Sequence, residues 1–285
     1  MLRWGLASVL LAATLGVLLV SVGAADRAPA QCGGADGSLR VMIYNIRTAL
    51  GTKNPGKNPL HQLFEPHDIA PVVATIAAAD ADVVALQEVL GWGQTRRLAR
   101  ALEMDSAFVF HPSPLPWWGT AVLSRCKLTD VRRAVISRGK GNGKAMAVAQ
   151  MEVAGRVVVV TSLHRDRDAN SGAQVQRILS ALKPETAPVL LMGDFNFTPQ
   201  DARHSIVSLT YEDSAQVAQF GAGYVLARGT YPVIADSKPH RRIDYVFLSK
   251  GDFTVSNVRV IEGVHAEASD HLGYVADVTL TPRPQ

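Results

Sequence analysis

The sequence predicts an α/β sandwich with mixed sheets, and three observations support this. Segments rich in Val and Ile, at 39–46, 82–88, 106–110, 119–124, 144–153, 156–163, 188–194, 242–249, 253–261 and 272–280, have the length and composition of strands. Helical patterns lie between these segments and not after them, as expected where helices cross over between strands. The segments "AMAVAQMEV" and "RVVVVTSLH" flank Ala154-Gly155, a hairpin pattern, so the sheets are not purely parallel. Among 285 residues, 47% are hydrophobic and 19% charged, which provides a sizeable core and excludes a disordered chain. No linker interrupts residues 38–281, so 38–285 reads as one domain, after a leader at 1–30 and a short tail at 31–37.

Taken in order, the leader comes first. Arg3 precedes an uncharged run from Trp4 to Ala25, and Ala28-Pro29-Ala30 offers a small-residue cleavage site before Gln31. A cleaved secretory signal is the favoured reading, and an uncleaved membrane anchor is the alternative. Either places the domain outside the cytoplasm. There the chain's two cysteines, Cys32 and Cys126, are expected to form a disulfide. Helices are predicted over "HDIAPVVATIAAA" (67–79), from Gly93-Gln94 onward, and over "SGAQVQRILSALK" (171–183) with Ser171 as N-cap. Loops rich in Gly, Pro, Asn and Lys are predicted at 47–66 and 220–240, where long connections often serve function. In "LLMGDFNFTPQ", Gly193 reads as a tight turn ending a strand, with Asp194 and Asn196 projecting the same way.

Without residues 1–30, 27 basic and 24 acidic residues remain, a net charge of +3 that says little about partners. The local distribution is more informative. Seven Lys and Arg stand between Arg125 and Lys144 against one acid, Asp130, which reads either as a solvated face or as a footprint for a polyanion. The stretch "PSPLPWWG" offers Trp117 and Trp118 for base stacking, for a lipid interface or for ordinary packing.

Polar residues recur at strand ends: Asn45, Glu88, His164, Asp194 with Asn196, Asp244, and Asp270 with His271. Each alone has an ordinary explanation as a turn, cap or surface residue. As a set they are acids, amides and imidazoles without cysteine, a donor set suited to a hard cation such as Mg²⁺, with Mn²⁺ and Ca²⁺ as alternatives. A cation that neutralises phosphate oxygens, an acid that orients water and two histidines describe hydrolysis of a phosphate ester. The chain has no G-x-x-x-x-G-K-S/T loop, no H-E-x-x-H and no G-x-S-x-G, which argues against nucleotide-driven transfer, zinc peptidases and serine hydrolases.

The ordered series of Asn45, "LQE" with Glu88, "GTAVLSR", His164, "GDFN", "TYP", "RIDYVF" and "SDH" resembles the endonuclease/exonuclease/phosphatase (deoxyribonuclease-I-like) superfamily over residues 38–281. The resemblance implies a four-layered α/β/β/α sandwich with two mixed β-sheets and a site at one end. It also implies Glu88 as main Mg²⁺ ligand with Asn45 and Asp270 beside it. Asp194 is then the residue that orients or deprotonates water, Asn196 its phosphate-positioning neighbour, His271 a histidine oriented by Asp244, and His164 the donor to the leaving oxygen. The chain departs from many relatives at Ser162-Leu163-His164-Arg165, at Gly119-Thr120-Ala121 and at Leu272-Gly273-Tyr274, positions that bear on substrate contacts. Arg47, Thr120 and Arg165 are the candidate substrate-binding residues. Nucleic acid is the expected substrate, with a phospholipid or phosphomonoester as alternatives and an inactive binding module as a distant one. No sequence feature calls for a protein partner, and a monomer is expected.

Overall fold

The computed structural model describes residues 32–52, 67–112, 117–138, 143–167, 172–233 and 241–282. The leader expected at 1–30, the Ser171 cap and most of the 47–66 loop fall outside these residues. Among these residues twelve strands form two sheets of six. They are β1 (Ser38–Asn45), β2 (Val83–Leu90), β3 (Asp105–Phe110), β4 (Trp118–Ser124), β5 (Thr129–Ser137), β6 (Lys144–Val153), β7 (Arg156–His164), β8 (Val189–Asp194), β9 (Tyr211–Asp213), β10 (Asp244–Ser249), β11 (Phe253–Val260) and β12 (Tyr274–Leu280). The first sheet runs β11-β12-β1-β2-β4-β3 and the second β5-β6-β7-β8-β10-β9. Each sheet has one parallel pair, β1 with β2 and β7 with β8, and the remaining pairs are antiparallel. The mixed character expected from the sequence follows from this. A parallel pair needs a crossover, here supplied by helices α1 (Ala70–Ala79) and α3 (Gly172–Leu182). A third helix, α2 (Gly91–Leu102), follows β2.

Period-two alternation sorts the strand residues into three apolar layers. Val41 and Ile43 of β1, with Leu190 and Met192 of β8, enter the core between the two sheets. Their neighbours Met42 and Tyr44 face outward onto Val72 and Ile76 of α1 and Leu98 of α2. Val189 and Leu191 face the other way, onto Val175, Ile178 and Leu182 of α3. Both sheets are therefore covered on both faces, giving four layers. Each aliphatic side chain fully buried in this way contributes about 1.5–3 kcal/mol relative to exposure.

The structure adds two strands that the sequence reading missed. β5 begins with exposed residues and an irregular register, so it lacks a clean alternation, and β9 is only three residues long. The loop expected at 220–240 contains a helix, Ala222–Arg228, anchored by buried Val225. Its short run of apolar residues was masked by the Gly and Pro around it. α1 starts at Ala70, where the Asp68 side chain accepts the Ala70 N–H at 2.9 Å and Pro71 fits the first turn. Cys32 and Cys126 are bonded, with Cα atoms 4.9 Å apart, as expected. Among the described residues no helix is long and apolar enough to cross a membrane.

Candidate active site

Strand register alone brings most of the expected residues together. Asn45 pairs with Gln87 across β1 and β2, which sets Glu88 one residue beyond. His164 pairs with Asp194 across β7 and β8, and Asp194 pairs with Asp244 across β8 and β10. Gly193 does not make a turn, as the sequence suggested. It lies within β8, where a Cβ would stand 2.4 Å from the Leu163 carbonyl oxygen. Glycine is required there for close approach of the two strands, and that approach seats His164 against Asp194.

Glu88 owes its direction to a β-bulge. Between Leu86 and Val89, β2 has one more residue than β4, and Glu88 takes φ 53°. Strict alternation would turn Glu88 toward the outer layer that Leu86 occupies. The extra residue aims it into the cleft, with its side chain 37% exposed. Buried Asn45 donates from Nδ2 to Glu88 Oε1 at 3.3 Å and to Asp194 Oδ2 at 3.2 Å, while its Oδ1 accepts the Arg47 N–H at 3.1 Å. Ser269 donates to the Asn45 carbonyl at 2.6 Å, fastening the Asp270-His271 turn to the end of β1. Asp270 faces Arg47, with Oδ2 3.7 Å from Nε.

At the centre lies a buried chain of acid, imidazole and acid. Asp244 Oδ2 accepts from His271 Nδ1 at 2.8 Å, and His271 Nε2 lies 3.8 Å from Asp194 Oδ2. Burial opposes charge on His271, but Asp244, then Asp194 and Asp270, raise its pKa to about 10. Burial and the nearby Asp244 charge raise the Asp194 carboxyl to about 7. His164 behaves differently. Burial, with Lys144 next in effect, holds it well below the ordinary histidine value, so the ring is neutral near pH 7. Its Nε2 lies 3.5 Å from Asp194 Oδ2 and its Nδ1 lies 4.0 Å from Glu88 Oε1.

Two expected substrate contacts are not available to substrate. Arg165 is fully buried, donates from Nε to the Phe195 carbonyl and from Nη2 to the Asn196 carbonyl at 3.0 Å, and packs over the Phe197 ring. It braces the loop after β8. Thr120 is also fully buried and donates to the Ser162 carbonyl at 3.1 Å, joining the two sheets. Arg47 reaches the site, but its Nη1 is bonded to the Gly51 carbonyl. Asn196 accepts its position through its N–H, donated to Asp194 Oδ1 at 2.9 Å, and its side-chain amide donates to the Arg165 carbonyl at 2.7 Å.

The basic stretch does not form one face. Arg125 pairs with Asp80 and Asp82, and Lys127 with Asp105, at the end of the sandwich opposite the site. Arg132 pairs with Glu185, and Lys144 with Asp166. Arg133 and Arg138 are exposed, and Arg138 follows the end of β5 nearest the site. Trp117 is 46% exposed beside Trp118, which pairs with Leu90 just past Glu88.

Sequence reasoning missed Arg167 and Tyr231. Arg167 is exposed, donates from Nε to Asn196 Oδ1 at 3.2 Å and lies over the Tyr231 ring at 5.1 Å. Tyr231 in turn lies 4.6 Å from the His271 ring. β7 ends at His164, so no periodicity separates Arg167 from buried Arg165 in "HRDR", and only the fold does.

Asp194, Asp244 and His271 bring potential ligand atoms within 4.8 Å of one another. His271 Nδ1 is already hydrogen-bonded to Asp244, so this trio is arranged to hold a proton before it is arranged to hold a cation. Glu88 suits a divalent ion better. It is a hard oxygen donor open to solvent whose partners within reach are the Asn45 amide and neutral His164. Asp270 adds a second oxygen donor, whereas Asn45 presents its nitrogen side to the cleft and would have to turn over to ligate through oxygen.

The profile of the Endonuclease/Exonuclease/phosphatase family matches residues 42–271, from β1 to His271. No curated protein matches the chain in sequence. Among solved structures, the fold is similar to that of a functionally unknown conserved protein from Enterococcus faecalis V583 (TM-score 0.70, 20% identity, 85% of this chain and 100% of that one). It is also similar to an endonuclease/exonuclease/phosphatase from Beutenbergia cavernae DSM 12333 (0.67, 25%, 85% and 72%). A mannosyl-6-phosphatase from Bacteroides thetaiotaomicron VPI-5482 shares the fold as well (0.65, 17%, 85% and 99%). The chain belongs to the Endonuclease/Exonuclease/phosphatase family, whose members hydrolyse phosphoester bonds.

Proposed function

We propose that this protein is an exported, divalent-metal-dependent phosphodiesterase whose substrate is DNA or RNA. The observation that carries the chemistry is the Asn45 amide shared between Glu88 at 3.3 Å and Asp194 at 3.2 Å. It sets the carboxylate suited to a cation and the carboxylate suited to a base on one cleft. A divalent ion held by Glu88, with Asp270 and Asn45 beside it, would neutralise charge on the phosphoryl oxygens.

The chain's own residues do the rest. Asp194, raised toward neutrality by burial and Asp244, takes a proton from the attacking water. His271, kept charged by Asp244, stabilises the negative charge that develops at the phosphoryl group. Neutral His164 has one ring N–H to offer the departing oxygen as a hydrogen bond. Exposed Arg138 and Trp117 near the site end suit a backbone phosphate and a stacked base.

One observation favours a second reading, a phosphomonoester or lipid head group. Four of the seven basic residues between 125 and 144 already have acidic partners, which shrinks the charge available to a polyanion. The deciding experiment supplies purified protein and Mg²⁺ with plasmid DNA, RNA, sphingomyelin and sugar phosphates. In parallel, inactive Asp194→Ala is titrated with DNA at several salt concentrations. Three phosphate contacts give a log–log slope of about −3, roughly 50-fold weaker binding over a fourfold salt increase. No DNA binding at low salt, together with turnover of a lipid or sugar phosphate, would overturn the nucleic-acid reading.

A further inference from the structure

We infer that Arg167, seated on Tyr231, is the phosphate-binding residue of this site. The inference rests on the phosphoesterase reading above and goes beyond it by naming the side chain that grips the phosphoryl oxygens. Asn196, the residue expected to do so, has its amide engaged at both ends. Its Nδ2 donates to the Arg165 carbonyl at 2.7 Å, and its Oδ1 accepts from Arg167 Nε at 3.2 Å. Asn196 is therefore placed to position Arg167, and the guanidinium is the group it offers to the cleft.

Two other arginines, Arg165 and Arg47, are committed elsewhere. Arg165 is fully buried on carbonyl oxygens, and Arg47 is tied to the Gly51 carbonyl and Asp270. Arg167 is exposed, and its bond to Asn196, whose N–H is held by Asp194 Oδ1 at 2.9 Å, places it beside the catalytic carboxylate. Its seat is also defined. The guanidinium rests over the Tyr231 ring at 5.1 Å, and that ring packs 4.6 Å from His271, so clamp, aromatic spacer and catalytic imidazole form one stack. A planar guanidinium offers parallel N–H donors to two phosphoryl oxygens, which an ammonium cannot reproduce. Tyr231 is a positioning residue on this account, holding the clamp at a fixed height above His271.

The test uses the full chain with Mg²⁺ and inorganic phosphate as the probe, by calorimetry and by competitive inhibition. Arg167→Ala should weaken phosphate binding at least tenfold and raise KM by a similar factor, with a smaller loss in kcat and unchanged Mg²⁺ binding. Arg167→Lys should recover only part of this, and Tyr231→Leu should move both KM and the pH profile of kcat. Phosphate binding within twofold of wild type in Arg167→Ala overturns the clamp, as does full rescue by Lys. A wild-type protein that binds phosphate through Arg167 but cleaves no ester supports the clamp and sinks the proposed activity instead.

Discussion

Asp244→Asn isolates the buried pair at the centre of the site. The two side chains have nearly the same shape, so the change removes charge and leaves packing in place. Asp244 is fully buried, receives His271 Nδ1 at 2.8 Å, and has its other oxygen, Oδ1, without a partner among the described residues. Burial alone would lower the His271 pKa, yet it stands near 10, and Asp244 is the largest opposing cause. Removing one partner of such a buried charged pair costs about 3–5 kcal/mol. If the transition state needs that charge, its loss slows the reaction by about three orders of magnitude. An uncharged amide in place of the acid that orients a catalytic histidine has an effect of about this size elsewhere, ~10⁴ in kcat. The assay compares kcat for Asp244→Asn, His271→Ala and the double variant on the best substrate found, with circular dichroism to verify folding. The single losses should not add, because both remove the same unit. A loss under tenfold in Asp244→Asn, or additive losses in the double variant, would refute the reasoning.

Glu88→Gln should lower activity by about three orders of magnitude and weaken Mg²⁺ binding measured by calorimetry, since a bound cation supplies several kcal/mol of charge stabilisation; full activity in excess EDTA would defeat it. Asp213, buried against Arg242 and His204, should cost about 3–5 kcal/mol in chemical denaturation when changed to Asn, because Arg242 is left buried without its acid. Burial pushes the Asp213 pKa up, but His204 and Arg242 outweigh it and hold it below the ordinary value. Its stabilising effect is therefore fully present above about pH 4 and lost as pH falls further, so the gap between wild type and Asp213→Asn should close only in that acid range. The Cys32–Cys126 bond spans 94 positions and contributes up to about 4–5 kcal/mol in the chain-entropy account. Cys32 lies near the start of the domain, so a smaller loss is expected on Cys32→Ser with Cys126→Ser, and two alkylatable thiols in native protein would contradict the bond.

Most strands and the identity of the strand-end residues were legible because runs of Val and Ile mark buried strands, and Asn45, Glu88, Asp194 and Asp244 stand at the ends of such runs. What the pattern lacks is direction. Arg165 and Arg167 have the same chemistry and lie two positions apart, yet one is sealed beneath the Phe197 ring and the other lies over Tyr231. The loop after β8 decides between them, through the Phe195 and Asn196 carbonyls that capture Arg165. Thr120 was misread for a related reason. Its hydroxyl satisfies a backbone carbonyl of the facing sheet, a contact that exists only once the two sheets pack. Charge runs are equally blind to pairing, since Arg125 meets Asp80 and Asp82 from a segment over 40 positions earlier in the chain.

Backbone strain adds a separate argument for where function resides. Among the described residues nine non-glycine residues have positive φ, and Asp80, Glu103, Asp130 and Ala154 sit at helix ends, a hairpin turn and the irregular start of β5. The other five are Glu88 and Asn196 at the candidate site and Arg47, Thr48 and Ala49 just after Asn45. Each such residue costs about 1 kcal/mol or more and persists only where its surroundings hold it. Here they do. Gln94 Nε2 at 2.7 Å and His67 Nδ1 at 2.6 Å both bond the Thr48 carbonyl, the bulge fixes Glu88, and Asp194 grips the Asn196 N–H. Relaxing the bulge would turn Glu88 toward α1 and α2, and relaxing Asn196 would take its amide away from Arg167. The strained segments therefore hold the proposed cation ligand Glu88 and the Asn196 that braces Arg167, and Asp194 is bonded to Asn45 on one side and to Asn196 on the other.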